Sequence, residues 1–170
     1  MPRTGGTRWL WLSFAILVAD RATKSAIERY TGPFFRRPII SDLVVLVHNQ
    51  NPGIAFGIFS EATSRWLSPL LVVISLIVIA LLIWLLITGH AGDCLAQSGV
   101  ALILGGAAGN VLDRLLHGGV TDFLEVRLGT YRWPAFNVAD SAITVGAILV
   151  LIELLFAKQH SSGTAERSRE

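Results

Sequence analysis

Cysteine is almost missing from this chain, and charge is scarce. The single thiol, Cys94, excludes an internal disulfide and any cysteine-rich metal centre. Only 15% of the 170 residues are charged while 52% are hydrophobic, too little polar surface to clothe a soluble domain of this length. The net charge of +2 gives no argument for a polyanionic partner, and neither a nucleic-acid motif nor an internal repeat is present. H-E-x-x-H and G-x-S-x-G are missing, and the four histidines share no ligand spacing. Neither metal-assisted nor serine chemistry finds its parts here, and no metal or cofactor is expected.

What the chain has instead is long apolar runs, with a mean hydropathy of +0.59. Leu67 to Ile87 and Cys94 to Leu112 carry no charge. Each is close to the ~20 residues that cross a bilayer core as helix. Asn137 to Ala157 is as long but holds Asp140 and Glu153. Trp9 to Tyr30 is apolar in its first half and then reads "DRATKSAIERY". The pattern predicts one domain over 1–170, an all-α membrane protein of four transmembrane helices at about 9–30, 67–87, 94–116 and 137–157. The basic start and the apolar run Trp9 to Ala19 resemble a secretory leader, but no A-x-A-like pair precedes Asp20, so the segment is expected to be retained.

Four spans put the far ends of the first and third helices on one membrane face with the near ends of the second and fourth. The connections on that face, about 31–66 and 117–136, are the long ones. "PIISDLVVLV" is rich in β-branched residues, and "FLEVRL" alternates apolar with charged before Gly129. A small extracytoplasmic antiparallel β-sheet is predicted there. Basic residues flank the termini but also occupy the first connection, so the charge rule is weak; cytoplasmic termini are expected. The polar tail 158–170 is expected to be disordered.

Polar residues collect at that same face: Asp20 and Lys24, then Asn110, Asp113 and Arg114, then Asp122, Asn137 and Asp140. Charge at membrane depth costs ~2.5–3.5 kcal/mol per residue on insertion scales, so such groups pair or mark function. Structural readings exist for each. Asp20 and Lys24, spaced i, i+4, can neutralise one another. Asp113 can pair with its neighbour Arg114 at a helix end. Asn137 suits an N-cap and Asp140 the positive end of a helix dipole, which accounts comfortably for one of them but not for both together with Asp122. "SGVALILGGAAGN" (98–110) is dense in small residues, marking the third helix as the packing centre. Asp122 and Asp140 remain, and two carboxylates in a poorly hydrated place hold one proton between them. Such a dyad activates water with one member and protonates a leaving group with the other. A proton-relaying transporter and a scaffold with a purely structural polar cluster stay open beside a protease.

In order along the chain, "DRATK" (20–24), "NPGIAFG" (51–57), "GNVLDR" (109–114), "VTDF" (120–123) and "FNVAD" (136–140) resemble the motif set of the lipoprotein signal peptidases, signal peptidase II. The resemblance covers roughly 9–157, with Ile54 where alanine is common. It implies a bacterial plasma-membrane aspartic endopeptidase, its site near the outer face, that cleaves before the diacylglyceryl-modified cysteine of a prolipoprotein. Asp122 and Asp140 match the family's catalytic pair. Asp20, Lys24, Asn51, Asn110, Arg114 and Asn137 match positions that bind substrate or support the site. Globomycin-type inhibitors, lipidated prolipoproteins and membrane lipid are the implied partners, and a monomer is expected.

Overall fold

The computed structural model describes residues 6–41, 43–53 and 67–167, with side chains up to Phe156. The second half of "NPGIAFG", with Ile54, lies outside the described residues. After a short 3-10 turn at Gly6–Trp9 come helix α1 (Leu10–Tyr30) and strands β1 (Arg36–Ile40) and β2 (Val44–Asn51). Helices α2 (Leu67–Thr88) and α3 (Cys94–His117) follow, then β3 (Val120–Leu128), β4 (Tyr131–Arg132) and helix α4 (Val138–Arg167).

Helix α3 is the hub: α1, α2 and α4 all pack on it. Small residues make this possible. A Cβ on Gly105 would lie 2.6 Å from the Ser13 carbonyl oxygen of α1, and one on Gly106 2.4 Å from the Ala139 carbonyl oxygen of α4. Gly99 and Gly146 face each other across α3 and α4 in the same way. Close backbones replace the hydrophobic drive that lipid does not supply. Ser13 adds a buried hydrogen bond from its hydroxyl to the Ala101 carbonyl, 2.8 Å away.

Among the described residues three helices are long and apolar enough to cross a membrane: α2, α3 and the Val138–Phe156 part of α4. About 61% of α3's apolar window is buried against 11% for α2 and 17% for α4, so the outer helices show their leucine, isoleucine and valine side chains outward. Such exposure suits hydrocarbon rather than water. Helix α1 is the mixed one, with an apolar first half and charges from Asp20 onward. Helix α4 is drawn on to Arg167, past the end expected at 157, where a disordered tail was anticipated. The continuation contains good helix formers, Ala157, Lys158 and Gln159 among them, and no proline to stop it.

The predicted sheet is four-stranded in the order β1-β2-β3-β4, each neighbour antiparallel. "PIISDLVVLV" supplies the end of β1 and the start of β2; the chain reverses between Ile40 and Val44, with Ser41 at φ 41. Gly129 takes φ 63 in the β3–β4 turn. The pairing of β2 with β3 slips between Leu46 and Asn49, which sets Asn49 opposite Asp122 and Asn51 opposite Val120. Gly118, left-handed at φ 74, closes α3 and turns the chain straight into β3. That tight turn delivers Asp122 to the end of the bundle, beside the start of α4.

Candidate active site

The start of α4 is a capping box. Asn137 Oδ1 accepts the Asp140 N–H at 2.9 Å, and Asp140 Oδ2 accepts the Asn137 N–H at 3.3 Å. Both residues are therefore caps, and capping leaves only Asp122 of the three without an account. Each also has an atom left over. Asn137 Nδ2 donates to Asp122 Oδ1 at 2.8 Å, and Asp140 Oδ1 accepts from Asn110 Nδ2 at 2.9 Å. One motif holds both aspartates: the box fixes Asp140, and its spare amide hydrogen fixes Asp122.

A third carboxylate works at this helix start. Asp20 Oδ1 accepts the Ala139 N–H at 2.9 Å, another of the donors that a helix leaves unpaired at its first turn. Its other oxygen meets Lys24 Nζ at 2.8 Å, the expected i, i+4 pair. Lys24 is wholly buried, and its ammonium also meets Asp113 Oδ2 at 3.1 Å and Asn110 Oδ1 at 3.0 Å. Asn110 thus passes from a buried cation on one side to Asp140 on the other. Asp113 does not pair with Arg114; it meets Lys24 and, at 2.8 Å, Arg21, and accepts the Thr121 N–H. The sequence offers no spacing rule for a contact between helices, so that pairing was not legible.

Asp122 is 2% exposed, with its second oxygen bonded by Asn51 Nδ2 at 3.1 Å. Burial and the negative Asp140 beside it push its pKa up to about 7, against the opposing pull of the Asn51 and Asn137 hydrogen bonds. Arg114 lies close enough to Asp140 and Asp122 to feel both charges. Its Nη1 donates to the Asn110 carbonyl at 3.1 Å, while its buried Nε has no partner among the described residues. Asp20, Lys24, Asn51, Asn110, Arg114, Asp122, Asn137 and Asp140 all meet in this one cluster. A cavity of about 290 Å³ lined by Trp133, Phe136, Ser141, Thr144 and Val145 opens against Asp140.

Sequence reading passed over Arg21, Glu28 and Thr121, which lie directly behind the cluster. Thr121 is fully buried and bonded to Glu28 of α1 and Asp113 of α3. A charged residue in the second half of an otherwise apolar helix was the available signal for Arg21 and Glu28. Glu28, Asp113 and His117 could by position enclose a cation, but the Arg21 guanidinium already sits on both carboxylates.

A second cavity, of about 400 Å³, lies along the sheet between Phe34, Arg36, Val47, His48 and Glu125. Two arginines, Arg36 at 2.8 Å and Arg127 at 2.9 Å, hold Glu125 and lower its pKa to about 2. Glu125 is therefore a fixed anion, unlike Asp122.

Known proteins share this architecture. A family model described as "Signal peptidase (SPase) II" matches residues 12–156. A lipoprotein signal peptidase of Solibacter usitatus is 40% identical over 163 residues, covering 93% of this chain and 98% of that protein. One of Cupriavidus taiwanensis is 43% identical over 152 residues, covering 88% of this chain and 84% of its own. Two solved bacterial membrane enzymes superpose with TM-scores of 0.78 and 0.74 at 27% and 28% identity. The first covers 91% of both chains, the second 88% of this chain and 93% of its own. With a family model spanning most of its length and relatives this similar across nearly all of theirs, the chain belongs to the signal peptidase II family.

Proposed function

We propose that this chain is a four-span aspartic endopeptidase of the bacterial plasma membrane that removes signal peptides from diacylglyceryl-modified prolipoproteins, cutting before the lipidated cysteine. The observation that carries the reading is that one side chain ties the two acidic residues together: Asn137 Nδ2 donates to the Asp122 carboxylate, and Asn137 Oδ1 accepts the backbone N–H of Asp140. Nothing in packing requires a buried, uncompensated acid at Asp122, and a proton-poised carboxyl at that place is what peptide hydrolysis needs.

In this reading Asp122 holds the shared proton near neutral pH, since its pKa lies at about 7. Asp140, held by Asn110 and its own capping contact, draws a proton from water as the water adds to the scissile carbonyl. Asp122 gives its proton to the carbonyl oxygen; on collapse of the resulting diol Asp140 passes its proton to the leaving amine nitrogen, and Asp122 takes one back from a diol hydroxyl as the new carboxylic acid forms. Acid–base work of this kind supplies only ~10²–10⁴-fold. The rest comes from position and field. Arg114, beside both carboxyls, is the candidate to bind substrate backbone through its guanidinium. Asn51, Asn110 and Asn137 orient the pair, while Asp20 and Lys24 hold α1 against the start of α4.

The fourth span is α1, its charged half shielded by α3 and α4. The sheet then lies on the outer face with the dyad, and both termini face the cytoplasm. A proton-coupled transporter would place its carboxylates near mid-membrane, whereas these lie where α3 and α4 meet the sheet. Globomycin-type inhibitors would compete at this site.

The test is incubation of purified protein with a diacylglyceryl-modified prolipoprotein while the product mass is followed. Loss of the peptide preceding the modified cysteine is expected, with no metal or cofactor added. An intact precursor, or a cut elsewhere, defeats the proposal.

A further inference from the structure

Asp122 is held from two sides. Asn51 and Asn137 bind its carboxylate, and its backbone hangs from Thr121, the residue before it in β3. Thr121 has every polar atom engaged. Its N–H donates to Asp113 Oδ2 at 2.9 Å, and its carbonyl accepts from Asn137 Nδ2 at 3.4 Å. Its hydroxyl lies 2.9 Å from Glu28 Oε1 and 3.1 Å from Gln50 Nε2. An ionised carboxylate only accepts, so the hydroxyl proton points at Glu28 and a lone pair takes the Gln50 N–H.

The two carboxylates that grip Thr121 come from different helices, and Arg21 ties them together. Its guanidinium bonds Asp113 Oδ1 at 2.8 Å and pairs with Glu28. Successive strand residues face opposite sides of a sheet. Thr121 therefore points toward α1 and α3 when Asp122 points toward α4. What holds Thr121 reaches the Asp122 carboxyl through the backbone of β3 and through Asn137 Nδ2, which bonds both the Thr121 carbonyl and Asp122 Oδ1.

We propose that Glu28 and Thr121 are positioning residues for the cleavage reaction: their hydrogen bond pins the entry of β3 to helix α1 and so sets Asp122 opposite Asp140. The inference rests on the dyad reading above. The pair with Arg21 alone does not account for the place of Glu28. Its side chain is 20% exposed and holds Arg21 through both oxygens, yet one of those oxygens also takes the Thr121 hydroxyl. Geometry is the stronger reason, because α4, which carries Asp140, and β3, which carries Asp122, are separate pieces of chain. The capping box fixes one carboxyl on α4, and a grip on Thr121 fixes the other on β3. Asn137 then reaches the Asp122 carboxylate with Nδ2 and the Asp140 backbone N–H with Oδ1.

Steady-state cleavage of a lipidated precursor by Thr121→Val, Thr121→Ser, Glu28→Leu and the double variant Glu28→Leu/Thr121→Val tests this, with thermal melts alongside. Valine keeps the shape of threonine without the hydroxyl, and serine keeps the hydroxyl. Thr121→Val should lower kcat about tenfold with KM nearly unchanged, since small misplacements of reacting groups cost that much or more. Serine should recover most of the lost rate. The double variant should be little worse than either single one, because both break one contact. Parental kcat in Thr121→Val, or serine as slow as valine, overturns the proposal whatever the melting temperature. Should Thr121→Val not fold, Glu28→Leu at the rim of α1 carries the same test against the same threshold. Asp122→Asn in the same assay separates the two levels. If it turns over substrate, the dyad reading fails; if it is inactive while Thr121→Val runs at full speed, only the brace fails.

Discussion

Asn137 donates to Asp122 at 2.8 Å with the same side chain whose oxygen caps the Asp140 N–H at 2.9 Å. A helix cap and an active-site orienting group are one amide. Asn137→Ala should therefore show two effects together. Loss of the cap costs roughly 0.5–2 kcal/mol of stability, and loss of the tether lowers turnover without abolishing it, because both carboxyls remain. Asn137→Asp separates them: it keeps a capping oxygen but sets a third carboxylate against the pair. A melt near parental with turnover below that of Asn137→Ala is expected; parental turnover would mean the amide orients nothing.

Replacement of either acid by its amide keeps shape and polarity and removes the carboxyl. Asp122→Asn and Asp140→Asn should each abolish cleavage of lipidated precursor. The double variant should be little worse, since the pair acts as a unit. Substantial turnover by either single variant, once shown to be folded, returns Asp140 to capping alone.

The raised pKa of Asp122 fixes the sign of a stability effect. In the unfolded chain this carboxyl titrates near 3.8, and in the folded one at about 7. Between those values the folded state binds the proton and the unfolded state does not, so folding loses stability as pH rises through the window. Above about 7 the whole cost of the buried charge is present. Asp122→Asn removes that cost. Its melting temperature should exceed the parent's at pH 8, and the gap should close as pH falls toward 4. Parent turnover should decline as pH rises past about 7, when the dyad loses its proton. A gap that does not change with pH would contradict the assignment of the proton to Asp122.

Gly106 lets α4 lie on α3, with the site of its missing Cβ 2.4 Å from the Ala139 carbonyl oxygen. That oxygen is backbone, so Gly106→Ala must push the helices apart next to Asp140. Overpacking of this kind costs about 1–3 kcal/mol, and turnover should fall by more than the melt suggests. Gly32→Ala, which meets nothing within 4 Å, is the control and should match the parent. Equal turnover in the two variants would show that the helix contact does not set the dyad.

Much of this site was legible because charge in an apolar run has few excuses. The i, i+4 spacing of Asp20 and Lys24 announced their pair, and the glycines of 98–110 announced the hub. The sheet was legible from β-branched residues, although its reversal at Ser41 was not, for "ISDL" reads as easily as strand. Contacts that cross from one element to another left no trace. Asp20 bonds Ala139 across 119 positions, and Thr121 bonds Glu28 across 93. Nothing local in either stretch marks the other end. Capping and catalysis were weighed as alternatives for Asn137 and Asp140 because a sequence shows one role per residue, while an amide and a carboxylate each have two ends.

The Asp20–Lys24 contact also bears on how the protein is made. Helix α1 leaves the ribosome long before α3, which brings Asn110 and Asp113 to Lys24 in the finished fold. A newly inserted α1 has only itself to rely on, and a lone ammonium would resist entry into hydrocarbon. With its counter-ion one turn away at 2.8 Å, Lys24 need not stand as a lone charge if α1 enters a membrane first. Arrival of α3 would then add Asn110 and Asp113 to that pairing, so the packing of α3 on α1 is what completes the surroundings of Lys24.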